Sequence, residues 1–545
     1  MAILIAAALP HSAFAQVAGC DGAGNCYVRA GATGAGTGAD WTNAYTNFGT
    51  GAGMANPGSL TRGAIYYVAA GSYNATTAGY EFNTPDSGSL VITIQAATIL
   101  NHGTATGWSN AFQGPATWSM ALGGTRPIIN FDTNFWTFSG EYNACGTRLT
   151  EPFMPCRSGY GFVVNNNNGS NKPVSSSGVQ INYAAIGGAT TAVNNVTLEF
   201  IEFIGDGDAT GGNSVTGSCV GALGVQTPEG NGAPGVQDTN DALLYSYAHD
   251  DSGGPVYMIG TANFVLDHNW FNKDWGFNDS VHGTSCHSEI GIKNANFTGT
   301  SNITISNNYI ENLSSTASLA DPGSGGAANC QAGALTSACT SGINGANIFG
   351  NVFFCNQAEW TFPDGVSLTA CPGGNGFIGI FNYANFNFNV YNNTFDGAAN
   401  AHGVFTVSGG AILTGDFENN LFTNDPLESG ILCFIPGSSG GSTCTITYGF
   451  NSYLNARRGS DPGYLTAASD TITGTPSYIN AGTNTANANN YGLTTNTSAW
   501  TPLSFPYNVD PLGASRTTSR GAFQLGGVVA NAPAPPTSLI VTIQQ

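Results

Sequence analysis

Six times in this chain an asparagine lies three residues after one apolar side chain and two before another. The segments are LDHNWF (Leu266, Asn269, Phe271), ISNNYI (Ile305, Asn308, Ile310), IFGNVF (Ile348, Asn351, Phe353), VYNNTF (Val390, Asn393, Phe395), FENNLF (Phe417, Asn420, Phe422) and YGFNSY (Tyr448, Asn451, Tyr453). A seventh, LEFIEF (Leu198, Ile201, Phe203), keeps the apolar positions with Ile where the others have Asn. A short unit repeated along a chain is the signature of a solenoid, in which each unit contacts only its neighbours. Asn tolerates the left-handed backbone region at a tight bend. Its amide can also bond to the Asn one coil above and one below, as in the Asn ladders of piled strands. Spacings that run from 27 to 68 residues imply a coil of constant shape carrying loops of variable length.

Composition agrees with short strands and tight bends. Charged residues make up only 8% of the 545, yet 41% are apolar and 31 are Phe, which argues against disorder. The 76 Gly supply turns. A net charge of −20 with only 12 Lys and Arg repels nucleic acid and anionic membrane. No apolar run is long enough to span a bilayer. The opening MAILIAAALPHSAFAQ reads as a secretory signal over residues 1–15, with Ala13, Phe14 and Ala15 as the cleavage motif, although it lacks a positive leading region. A secreted or cell-surface location of bacterial extracellular type is therefore expected. Twelve cysteines fit an oxidising compartment. Nearest-neighbour pairing would join Cys20 with Cys26, Cys145 with Cys156, Cys330 with Cys339, Cys355 with Cys371 and Cys433 with Cys444, leaving Cys219 and Cys286.

Strands are expected at AIYYVAAGSY (64–73), LVITIQ (90–95) and PIINF (127–131), and the regular ladder over about 177–455. Residues 526–545 form a Pro-rich linker and one apolar strand, a candidate for self-association by edge pairing. Three pieces resemble the secreted right-handed parallel β-helix proteins of the pectin-lyase-like superfamily. The opening YVRAGATGAGTGADWTNAYTN…YYVAAGSY is similar to their capping first coil. The NITISNNYIENL-type coils are similar to their repeats, and NNYGLTT…DPLGASRTTSRGAFQ to their closing coil. The resemblance implies an all-β right-handed parallel β-helix with inserted loops and disulfides over residues 16–525. It says little of any one activity, since a fold hosts many.

Charge is concentrated in one place. From Asp238 to Lys293, 14 of 56 residues are Asp, Glu, Lys or His, including four of the seven His and two of the three Lys. Such clustering of rare groups in about two coils marks a site. Alternation along HSEIGIK places Ile290 and Ile292 inward and His287, Glu289 and Lys293 outward, with Gly291 leaving room for a ligand. In YSYAHD the same alternation places Ser246 and Ala248 inside and Tyr245, Tyr247 and His249 outside. Tyr245, Tyr247, Trp270, Trp275 and His282 are candidate substrate-binding residues, the aromatic ones as stacking surfaces for sugar rings.

Two enzyme chemistries fit this composition. A polysaccharide lyase neutralises a uronate and removes the adjacent proton. Lys293, Lys273, His249 and His287 are candidate bases, and Asp250, Asp251, Asp274 and Asp279 candidate hard-oxygen ligands for Ca²⁺. A glycoside hydrolase needs two carboxylates about 5–9 Å apart, for which Asp250 or Asp251 with Glu289 or Asp274 are candidates. The absence of a basic groove weakens the uronate reading. An extracellular polysaccharide is the expected partner in both. The rival class is a non-catalytic adhesin or filament-forming surface protein, favoured by the low charge and the apolar tail.

Overall fold

The computed structural model describes residues 20–48, 60–121, 126–141, 160–167, 177–186, 188–205, 221–226, 236–251, 254–272, 290–293, 301–311, 319–321, 344–354, 378–380, 385–396, 405–407, 412–423, 433–434, 442–454, 478–480, 490–493, 503–504, 506–511, 515–516 and 520–522. The expected signal at 1–15 and the tail at 526–545 lie outside these residues.

The chain winds through three sheets in turn. The first has 12 strands, from Asn25–Val28 to Thr443–Gly449. The second has 11, from Gly71–Ala75 to Ser452–Leu454, and the third has 10, from Tyr80–Phe82 to Cys433–Phe434. Every pairing within the three sheets is parallel, so each strand bonds to its counterpart one coil away. The crossovers that parallel pairing demands are right-handed by the chirality of L-residues. This is the right-handed parallel β-helix that the sequence resemblance implies. The coils begin earlier than the Asn motif, however. Asn25–Val28, Ile65–Val68, Ile92–Ala96 and Trp136–Ser139 already belong to the first sheet.

Inward side chains stack coil upon coil. Leu243, Leu266, Ile305, Ile348 and Val390 form one buried column and Phe353, Phe395 and Phe422 another. The Phe rings of the second column lie nearly parallel, at 4.9 and 4.8 Å between centroids. Burial of such columns is the main favourable term in the fold.

The asparagines form the expected ladder. Asn269, Asn308, Asn351, Asn393, Asn420 and Asn451 are all buried. The backbone N–H and the Nδ2 of Asn269 both donate to Asn308 Oδ1, at 2.8 and 3.1 Å. The same pair of bonds joins each later Asn to the next. Each Nδ2 also reaches a carbonyl one coil below, as from Asn351 to Ile305 at 2.8 Å. Ser246 continues the column downward, its N–H donating to Asn269 Oδ1 at 2.9 Å while its Oγ accepts from Ile201 N–H.

One expectation is corrected here. The left-handed residue at the bend is the one before the ladder Asn. His268, Asn307, Gly350, Asn392, Asn419 and Phe450 hold positive φ, and the ladder asparagines do not. The Asn is selected for its amide, and its neighbour absorbs the backbone bend.

The Cys20–Cys26 disulfide is present and Cys444 is disulfide-bonded. The remaining expected pairings involve residues outside those described. No helix among the described residues is long and apolar enough to cross a membrane.

Candidate active site

His249 ends the strand Tyr247–His249 of the second sheet. The strand one coil earlier, Ile201–Ile204, pairs Glu202 with Tyr247 and Ile204 with His249. Glu202 and His249 are therefore diagonal neighbours on the outer face, because side chains alternate along each strand. Asp250 follows at the bend, in the left-handed region with φ 59°. Its carboxylate Oδ2 lies 2.6 Å from His249 Nδ1, and Glu202 Oε1 lies 3.3 Å from His249 Nε2. The three side chains are 14%, 31% and 21% exposed for His249, Asp250 and Glu202, so the cluster is sheltered but open to solvent.

Carboxylate oxygens accept, so both ring nitrogens are arranged to donate, an arrangement that favours the imidazolium form. Burial pushes the His249 pKa down. The hydrogen bonds and charges of Asp250 and Glu202 outweigh that, and the group titrates above the ordinary histidine value. The Tyr247 ring stacks on the imidazole at 4.4 Å and 19°. Beneath, Gly205 donates its N–H to the His249 carbonyl at 2.9 Å. A Cβ at Gly205 would run into the Asp250 carbonyl, so the close approach that seats Asp250 requires glycine there.

The other expected residues divide sharply. Tyr247 and Trp270 do point outward, but they are 6% and 0% exposed. They belong to a second apolar layer with Tyr160, Phe200, Tyr309, Val352 and Ala522. The expectation that they offer open stacking surfaces for sugar is corrected, since that layer already covers their faces. Tyr245 sits at the corner, its ring stacked between Phe200 and His268, each at 4.9 Å. Asp251 is buried. Ile290 is buried, and Ile292 falls in register with the buried Met258. Gly291 aligns with Tyr257 and Ala320 on the outer line of the third sheet. Lys273, Asp274, Trp275, Asp279, His282, His287 and Glu289, with the side chain of Lys293, lie outside what the structure describes.

Among the described residues no group of three His, Cys, Asp or Glu is placed to hold a metal ion. Of the expected Ca²⁺ ligands, Asp250 is engaged by His249 and Asp251 is buried, and Asp274 and Asp279 lie outside the described residues. Glu202 was absent from the sequence-based candidates. Aligning LEFIEF (198–203) with LLYSYA (243–248) places it opposite Tyr247, and that alignment was the available signal.

No protein-family model matches the chain, and no curated protein sequence matches it at a significant level. The fold is similar to that of several solved structures. An alginate lyase from Paenibacillus sp. str. FPU-7 is 12% identical, covers 71% of this chain and 92% of its own, and has a TM-score of 0.35. A PL6 family polysaccharide lyase from Pseudopedobacter saltans is 10% identical over 76% and 87%, with a TM-score of 0.38. A family 28 exopolygalacturonase from Yersinia enterocolitica is 8% identical over 73% and 67%, with a TM-score of 0.32. At these values the likeness is one of architecture, which the three parallel sheets of this chain establish by themselves.

Proposed function

We propose that this protein is a secreted enzyme that cleaves polysaccharide on the outer face of its second sheet. The observation that carries the reading is the imidazole of His249 held between two carboxylates. Asp250 grips Nδ1 with the shorter bond and fixes the ring, the orienting role that a carboxylate plays beside a catalytic histidine. The longer contact at Nε2 is the one an incoming substrate oxygen can replace.

The bond changes follow from these positions. His249 Nε2–H gives its proton to the glycosidic oxygen as the carbon–oxygen bond breaks. Glu202 takes a proton from the water whose oxygen bonds to the anomeric carbon. His249 then stands neutral and Glu202 protonated, and proton transfer between them restores the starting state. An imidazole kept protonated serves as an acid, which favours hydrolysis over elimination. The net charge of −20 also disfavours a polyuronate and favours a neutral glycan.

The test is incubation with panels of neutral and uronic glycans, following new reducing ends and the ultraviolet absorbance of unsaturated ends together. Reducing ends without unsaturation, lost in Glu202→Gln and His249→Asn, are expected. Unsaturated ends would replace hydrolysis by elimination. Silence of the folded wild-type protein on every glycan would remove the enzymatic reading and leave a non-catalytic surface protein.

A further inference from the structure

The second described histidine of the charged stretch has a different setting. His268 occupies the left-handed corner position, with φ 55°. Its Nδ1 lies 2.6 Å from Asp267 Oδ2 and its Nε2 lies 2.9 Å from the carbonyl oxygen of Pro511. A carbonyl carries no proton, so Nε2 must donate, and the short contact to a carboxylate requires Nδ1–H as well. The geometry needs the doubly protonated ring.

Pro511 belongs to a closing segment that returns along the corner between the first and second sheets. Tyr507 donates its hydroxyl to Asn347 Oδ1 at 3.0 Å and accepts at its carbonyl from Asn392 Nδ2 at 2.7 Å. Its ring packs on Phe349 and Tyr391 at 5.0 and 4.8 Å. Farther along, Gly521 N–H bonds to the Asn419 carbonyl and Ala522 N–H to Thr394 Oγ1. Arg516 ties the segment to itself through the carbonyls of Val509, Gly521 and Ala522. The bond from His268 to Pro511 reaches the lowest coil in this series of contacts.

We propose that His268 is a proton-controlled latch holding the 506–511 end of the closing segment against the helix corner. Described groups approach the ring from each side. On its own coil Asp267 is the counter-charge. From the coil below comes Tyr245, stacked on the ring, with Glu199 two coils down in the same outer line. From the coil above, Ser306 Oγ and Asn307 Nδ2 donate to Asp267 Oδ1 at 2.6 and 2.9 Å. The closing segment brings the Pro511 carbonyl and itself carries Asp510 and Arg516, whose charges act on one another. Burial pushes the Asp267 carboxyl up, but His268, Ser306 and Asn307 outweigh it and hold the group below the usual value, so it stays charged as the imidazole titrates. A neutral ring keeps one N–H for two acceptors, and the charged Asp267 claims it over the Pro511 carbonyl, so the latch closes as pH falls into the imidazole range and opens as pH rises out of it.

The experiment is hydrogen–deuterium exchange of the 506–511 peptide in the full chain at pH 5 and pH 8.5, corrected for intrinsic exchange. Loss of a charge-assisted bond should lower wild-type protection by about tenfold between the two pH values. His268→Asn introduces the residue that the stack already uses at Asn307, Asn392 and Asn419, so the corner keeps a side chain suited to its backbone. Its 506–511 protection should be low and flat with pH. Asp267→Asn keeps the ring but removes the counter-charge, and should move the transition to lower pH. Flat protection in the wild type, an unchanged slope in His268→Asn, or an unmoved midpoint in Asp267→Asn would each overturn the latch.

Discussion

Glu202 Oε1 meets His249 Nε2 at 3.3 Å across 47 residues of sequence. The parallel register that sets Glu202 against Tyr247 makes this meeting unavoidable, because one coil separates the two strands. Removing either carboxylate should therefore lower the pH at which His249 titrates. NMR titration of the ring in Glu202→Gln and Asp250→Asn is expected to show that downward shift. An unchanged midpoint in both would show that neither carboxylate perturbs the ring.

Turnover should respond to the same residues. His249→Asn and Glu202→Gln should each reduce kcat by about 10²–10⁴, the range for loss of a general acid or base. Thermal melting points should move little, since all three side chains are partly exposed. In the proposed mechanism the acid is the charged His249, so wild-type activity should fall as pH rises through the elevated imidazole pKa. A rate that climbs across that range instead would assign His249 as the base.

Gly205→Ala should damage the site without touching its chemistry. The added methyl meets the carbonyl and Cα backbone of residues 250 and 251, which cannot swing aside. Forcing the two coils apart should cost about 1–3 kcal/mol, as overpacking does, and lower kcat with it. Chemical denaturation and kinetics on one preparation read both effects.

Breaking the ladder should be costlier. Asn351→Ala removes the acceptor for the Asn308 N–H and Nδ2, and the donor to Ile305 and Asn393. Buried groups left without partners should cost about 2–4 kcal/mol in total. Denaturant midpoints would show it.

Asp238 should make stability depend on pH in an inverted sense. Burial pushes its carboxyl up to about 7, despite bonds from Val193 N–H and Asn182 Nδ2. The folded protein thus binds a proton that the unfolded chain releases near pH 4. Stability should fall as pH rises from about 4 to about 7 through this group. Asp238→Asn, which keeps the accepting oxygen, should flatten that limb and be about 1–2 kcal/mol more stable at pH 8. Melting curves at pH 5 and pH 8 compare the two.

Much of the architecture was legible because the ladder Asn must recur at a fixed offset from two core positions. Coils before residue 265 lack that Asn, and their strands, such as Trp136–Ser139, show only as apolar runs. His249 and Asp250 were legible as rare charged groups. Glu202 was not, since its partner lies in another coil and only the register joins them. The burial of Trp270 was hidden for a related reason. Outward orientation follows from alternation, whereas the second layer over it comes from Phe200, Tyr309 and Ala522, far apart in sequence.

From residue 244 onward the link between the first and second sheets is always two residues, whereas those into and out of the third sheet vary widely, as from Phe354 to Ile378 or from Phe395's strand to Phe405. The amide column thus acts as a hinge pin that fixes one edge of each turn from Asn269 to Asn451. Segments can be exchanged on the opposite side with the scaffold left intact. On the proposed function, glycan preference would be retuned by grafting the segments that link the second and third sheets, one turn at a time, without rebuilding the frame that holds His249.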